Sequence, residues 1–149
     1  MKFGDFIRNS CKEPNCELIL QDLASSPLTI LHTDNTGFRQ LFSLERERLS
    51  DYLLFYDGRN LIVVILELKG GRADVSVAHQ QIKHGAEVAE QIVVSQHVAT
   101  FLPLLTCHHI SSVEIRALRN SKVSFRGKHS PIILAKCGSS LKEILEKYH

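Results

Sequence analysis

No stretch of the chain approaches the roughly 20 consecutive apolar residues of a membrane-spanning helix, so no membrane partner is expected. Repeats, low-complexity tracts and proline- or glycine-rich linkers are also missing, and a single domain over residues 1–149 is the simplest organisation. Charge of one sign is in short supply. Eighteen Lys and Arg face sixteen Asp and Glu, a net charge of +2, so a nucleic-acid partner has to be met by local clusters rather than by overall attraction. The opening "MKFGDFIRNSC" carries Asp5 and lacks a long apolar core, which excludes a secretion signal. The expectation is a cytoplasmic protein with reduced thiols. No Cys-x-x-Cys pair occurs: Cys11 and Cys16 are five apart, Cys107 stands beside His108 and His109, and Cys137 is isolated. That spacing suits no common zinc pattern, and buried free cysteines are expected. A zinc-stabilised interaction protein is the alternative use of these cysteines.

The chain is long enough, at 149 residues and 44% apolar, to bury a core. Apolar residues at 16, 19, 20 and 23 in "EPNCELILQDLASS" have helical spacing. "LTILHT" reads as a short strand, and "DNTGFRQLFSLERERLS" as a short helix or an irregular excursion. "DYLLFYDGRNLIVVILELKGG" reads as a hairpin turning at Asp57-Gly58, with a second strand apolar enough to be covered on both faces. In "DVSVAHQQIKHGAEVAEQIVVS" the positions Val75, Ala78, Ile82, Gly85, Ala89 and Val93 form one face of a helix. Gly85 in its interior costs about 1 kcal/mol against Ala, which either close packing on the sheet or a simple lack of need for a side chain would explain. "FLPLLTC" is a strand, "SSVEIRALRN" a capped short helix, and "KVSFRGKHSPIILAKCG" two strands around an Arg-Gly-Lys turn. "SSLKEILEKY" is a terminal helix, with Ser140 and Glu143 spaced as a capping box. The order makes an α/β fold with a mixed sheet covered by helices.

The apolar strand ends in "ELK". Residues two apart on a strand share a face, so Glu67 and Lys69 project together and Leu68 points away. In an antiparallel hairpin the start of the first strand lies beside the end of the second, which sets Asp51 next to Glu67. Two adjacent carboxylates repel unless a proton or cation intervenes. A hard divalent ion such as Mg²⁺, with Mn²⁺ as substitute, is the natural third party. The bland alternatives are a surface ion pair for Glu67 and Lys69, a strand-starting role for Asp51 and a solvated helix position for Gln81. His79 is expected to be exposed, and Gln80 more so than Gln81.

This set of parts resembles the PD-(D/E)XK nuclease superfamily, with an Asp on one strand, Glu-x-Lys closing the next, and a helix that often carries a glutamine. Here these are Asp51, Glu67-Leu68-Lys69 and Gln81 in "AHQQIKHG", and the likeness spans roughly residues 14–107. Ser50 stands where the motif has proline. The resemblance implies a restriction-endonuclease-like αβββαβ core with a mixed central sheet flanked by helices. It implies a metal held by Asp51, Glu67 and the Leu68 carbonyl, catalysis by Asp51, Glu67, Lys69 and Gln81, and an acidic residue on the first helix matched by Glu17. The implied activity is Mg²⁺-dependent hydrolysis of DNA, of a repair, recombination or defence type, by a homodimer or as part of a larger complex. Phosphate contacts are expected from Arg72, Lys83, Arg46 and Arg48. The rival within the fold is a catalytically inactive nucleic-acid-binding or scaffolding protein.

One geometric condition follows from the pleat. A two-residue turn would put Asp51 and Glu67 on opposite faces, so the site requires an odd-numbered loop or a bulge. Asp57, at the turn, is six residues from the level of Glu67, or roughly 20 Å, too far to share an ion.

Overall fold

A computed structural model describes residues 7–8, 10–20, 23, 27–44, 48–58, 60–94 and 98–148. The elements in chain order are β1 (Ile7–Arg8), β2 (Cys11–Glu13), β3 (Cys16–Leu18), β4 (Leu28–His32), α1 (Thr36–Leu41), β5 (Tyr52–Asp57), β6 (Leu61–Arg72), α2 (Val75–Ile92), β7 (Ala99–His109), α3 (Ser112–Asn120), β8 (Lys122–Phe125), β9 (Lys128–Pro131), β10 (Ile133–Lys136) and α4 (Leu141–Tyr148). The fold is mixed α/β. Its main sheet runs β1-β4-β5-β6-β7-β10. Strands β1, β4, β5 and β6 pair antiparallel, whereas β6–β7 and β7–β10 pair parallel. The order β4-β5-β6-α2-β7 is thus three antiparallel strands, a crossover helix and a parallel strand.

Strand β6 is the centre, and its residues are buried from Ile62 to Leu68. Val63 and Ile65 pack with Val75, Ala78, Ile82, Ala86 and Ala89 of α2 on one face. On the other, Val64, Leu66 and Leu68 pack with Cys11, Cys16 and Leu18 of the β2–β3 hairpin and with Leu141, Ile144 and Leu145 of α4. The continuous apolar run of β6 is explained by this cover on both sides. Of the two explanations for Gly85, the structure shows packing. A Cβ there would lie 2.2 Å from Ser50 Oγ and 2.8 Å from Ile65 Cγ2. Asp74 caps α2 through the amide of Val77 (3.2 Å), and Glu114 of α3 accepts from the amide of Val75 (3.0 Å).

Four expectations are corrected. The start of the segment from Glu13 read as a helix forms the β2–β3 hairpin instead, with Cys11 facing Leu18 across it, while residues 21–22 and 24–26 of that reading lie outside the described residues. Pro14 and Asn15 make the turn, Asn15 at φ 65°, a left-handed geometry that asparagine tolerates. The cysteines are not all free. Cys16 and Cys137 form a disulfide across 121 residues, while Cys11 and Cys107 are free and buried. Closing a loop of that length stabilises by on the order of 5 kcal/mol in the chain-entropy account. Ser140 does not cap α4, since its buried hydroxyl has no hydrogen-bond partner among the described residues. His79 is half-buried rather than exposed, with Nε2 2.8 Å from the Lys122 carbonyl. Among the described residues no helix is long and apolar enough to cross a membrane.

Candidate active site at the end of the central hairpin

Rungs from Tyr52–Leu66 to Asp57–Leu61 leave residues 58–60 as a three-residue loop. The odd loop length is what the site requires, and the next rung beyond Tyr52–Leu66 sets Asp51 against Glu67. The two are interlocked. The Asp51 amide donates to Glu67 Oε1 (3.2 Å), and the Leu68 amide donates to Asp51 Oδ2 (2.8 Å). Asp57 is exposed at the far end.

Both carboxyls project from the face of the sheet that α2 covers. Glu67 is 1% exposed. Lys69 Nζ lies 3.2 Å from Glu67 Oε2 and 3.1 Å from Gln81 Oε1. Gln81 is fixed in turn: its backbone carbonyl accepts from the Ser50 amide (3.0 Å), and its side-chain amide reaches the Leu49 carbonyl (3.5 Å). Ser50 is wholly buried, and its carbonyl accepts from the Thr33 hydroxyl. The chain entering β5 is therefore clamped between α2 and the end of β4.

Burial, followed by the facing Asp51, pushes Glu67 up to about 9. Burial raises Asp51 as well, opposed by hydrogen bonds from Glu67 and the Leu68 amide and by the charge of Lys69. Both carboxyls are thus held toward the protonated form, with Lys69 beside them as the opposing charge. Among the described residues no three His, Cys, Asp or Glu side chains converge on a metal-sized space. Two carboxylates and a backbone carbonyl still suit Mg²⁺, which retains several waters and needs few protein ligands.

The other expected residues are dispersed. Arg72 is exposed at the end of β6, past a register shift between Lys69 and Arg72. Arg48 is exposed, and its carbonyl meets His84 Nδ1 at 3.0 Å. Lys83 is exposed on another side of α2 from Gln81, two residues and about 200° round the helix. There it lines a 420 Å³ groove with His79, Glu87, Lys122 and His129. Gln80 is exposed. Arg46 lies outside the described residues. Glu17 is corrected: it sits on β3, not on a helix, exposed and across from Lys12.

The β2–β3 hairpin also carries Glu13, at the end of β2. Burial and then the charge of Asp51 raise its proton affinity, and its carboxylate lies 3.6 Å from His32 Nε2. His32 stacks on Tyr52 with ring centroids 4.9 Å apart. The Tyr52 hydroxyl accepts from the Lys12 amide (3.3 Å) and donates to the Lys12 carbonyl (3.0 Å). Sequence reasoning did not anticipate this hairpin because it took the segment for a helix. The Pro14-Asn15 turn signal was the available clue. Comparison of the chain with protein-family models, with curated proteins and with solved structures finds no match.

Proposed function

We propose that this chain is a metal-dependent nuclease that hydrolyses phosphodiester bonds in DNA. The observation that carries the reading is the convergence of Asp51, Glu67 and Lys69 at the end of one hairpin, with Lys69 held by Gln81. An ordinary surface ion pair needs neither a second buried carboxyl nor a glutamine clamped by backbone hydrogen bonds. Asp51, Glu67 and the Leu68 carbonyl would hold Mg²⁺ or Mn²⁺. When bound, the ion supplies an activated water and stabilises charge on a phosphoryl oxygen.

The protein's own part is positional. Gln81 and Glu67 fix the Lys69 ammonium beside the carboxylates, where it orients the attacking water or offsets charge developing on the phosphorus oxygens. Glu67 and Asp51 would bind the ion in their ionised forms, so its binding would strengthen as pH rises. Arg72 and Arg48, both exposed, serve the phosphates of the substrate in this reading. Assembly as a homodimer or within a larger complex, and residence in the cytoplasm, belong to the same proposal. In a reducing compartment the Cys16–Cys137 bond would be of the reversible kind.

The test is incubation with supercoiled, linear, single-stranded and branched DNA in Mg²⁺ and in chelator. Mg²⁺-dependent cleavage of any of these that is abolished in Asp51→Asn and Glu67→Gln is expected. Absence of cleavage together with absence of Mg²⁺ or Mn²⁺ binding favours a non-catalytic member of the fold.

A further inference from the structure

Strand β8 runs alongside α2 and is pinned to it at two places. Near the start of both, His79 Nε2 donates to the Lys122 carbonyl (2.8 Å). Near the end of both, the Arg126 amide donates to Glu90 Oε1, and the Arg126 guanidinium reaches the carbonyls of Val93 (3.4 Å) and Val94 (2.8 Å). The spans agree: a helix rises about 16 Å from residue 79 to residue 90, and a strand extends about 13 Å from residue 122 to residue 126. Val123 and Phe125 are buried in the core, so the alternation of the strand turns Lys122 and Ser124 outward. The 420 Å³ groove therefore lies between two walls that are fixed to each other, with His129 opposite Ser124 on the neighbouring strand. That volume is within the range of small-molecule sites.

Charge is sorted along the groove. His79, Lys83 and Lys122 occupy one end, and Glu87 and Glu90 the other. Lys83 precedes Glu87 by four residues, the less favourable order for a helical pair. Among the described residues, neither these two lysines nor these two glutamates form an ion pair. His79 carries a proton on Nε2, because the carbonyl it meets can only accept, and its Nδ1 has no partner among the described residues.

We propose that this groove binds a sugar phosphate, with the phosphomonoester at the end formed by Lys83 and Lys122 and the sugar hydroxyls at the end formed by Glu87 and Glu90. Two ammonium groups with two imidazoles beside them match a dianionic phosphate better than the single charge of a carboxylate. Ionised carboxylates only accept, so the acidic end calls for a part of the ligand that donates. Glu90 already shares its charge with the Arg126 amide, which suits neutral hydroxyl donors rather than an ammonium. No tyrosine, phenylalanine or tryptophan lines the groove, so a nucleobase finds no ring to stack on, and one attached to the sugar would stay in solvent. A free sugar phosphate and a nucleoside monophosphate share the part that is recognised. The site is independent of the nuclease reading, because the groove lies on another side of α2 from Gln81.

The test is titration of the isotope-labelled full chain, followed by amide chemical shifts, with ribose 5-phosphate, adenosine 5′-monophosphate, phosphoethanolamine, inorganic phosphate and ribose. Chelator is present throughout, so that no metal bridges a phosphate to Asp51 and Glu67. Ribose 5-phosphate and adenosine 5′-monophosphate are expected to shift the amides of Lys83, Lys122 and Ser124 with similar affinity and to leave Leu68 and Lys69 unmoved. Inorganic phosphate should bind the same place roughly 10-fold or more weakly, and ribose not at all. Lys83→Ala and Lys122→Ala, both at exposed positions, should each weaken ribose 5-phosphate by roughly 10-fold. Glu87→Gln should weaken ribose 5-phosphate and leave inorganic phosphate no weaker. Absence of shifts in the groove with every phosphate, or shifts centred on Leu68 and Lys69, overturns the site. Inorganic phosphate or phosphoethanolamine binding as tightly as ribose 5-phosphate, or adenosine 5′-monophosphate binding where ribose 5-phosphate does not, overturns the sugar assignment.

Discussion

Asp51 and Glu67 are locked to each other through the backbone: the amide of Asp51 donates to the Glu67 carboxylate, and Asp51 uses its own carboxylate on the amide that follows Glu67. Two acids are thereby held together in a buried place with one lysine. The arrangement is costly to the unliganded protein and useful to one that takes up a cation.

The cost has a pH signature. Glu67 ionises near 4.5 when unfolded and is raised to about 9 by burial and by Asp51 in the folded state. Between those values the folded chain binds more protons, so its stability falls as pH rises. Glu67→Gln removes that loss. In chelator, the melting temperature of Glu67→Gln relative to the parent should be higher at pH 8 than at pH 5. At this chain length about 2 to 4 °C corresponds to 1 kcal/mol. A difference that stays constant with pH would refute the raised proton affinity of Glu67.

Lys69→Ala should keep the fold and most of the Mn²⁺ affinity and lose cleavage by a factor on the order of 10² or more. Single-turnover cleavage beside Mn²⁺ titration separates the two effects. Cleavage at the parental rate would remove Lys69 from the mechanism.

Of the two aspartates on the hairpin, only Asp51 is level with Glu67. Asp57→Asn should therefore cleave normally and Asp51→Asn should not. The reverse pattern in the same assay would transfer the site to the turn.

Phosphate contacts are read from the salt dependence of DNA affinity in chelator. Arg72→Ala and Arg48→Ala should each reduce the log–log slope by about one. Lys83→Ala, which alters the groove on another side of α2, should change it less. An unchanged slope in both arginine variants would move the DNA surface elsewhere.

Gly85→Ala should destabilise although alanine is the better helix former. The added methyl meets Ser50 Oγ at 2.2 Å and Ile65 Cγ2 at 2.8 Å. A typical overpacking cost of about 1 to 3 kcal/mol outweighs the roughly 1 kcal/mol gained in propensity. Thermal unfolding checks the sign, and a rise in melting temperature would show that the helix can move off the sheet.

The strands and the long helix were legible because periodicity reports local burial, and β6 and α2 are each covered in a regular way. The parity of residues 58–60 was legible because the pleat links loop length to face. What escaped was long-range. Cys16 meets Cys137 only after 121 residues of chain have folded, and nothing local to either marks the pairing. Residues 16, 19, 20 and 23 had helical spacing by coincidence, and Pro14-Asn15 overrode it by turning the chain. The same error put Glu17 on a helix, whereas it sits exposed on β3. The six-residue α1 lay in a segment whose pattern was undecided, and its cap, Asn35 accepting from Gly37 and Phe38, is tertiary in effect but local in cause.

The three-residue turn of the central hairpin acts as a reading frame for chemistry at the other end of the strands. Adding or removing one residue there, with the pairing of the strands re-formed around it, rotates Asp51 to the opposite face of the sheet, although the change is made about 20 Å away. A change of two residues restores the face and shifts the level by one rung. Length variation at this exposed tip would ordinarily be harmless. In this chain it is constrained from a distance, and the tip can be redesigned freely in composition but only in even steps of length.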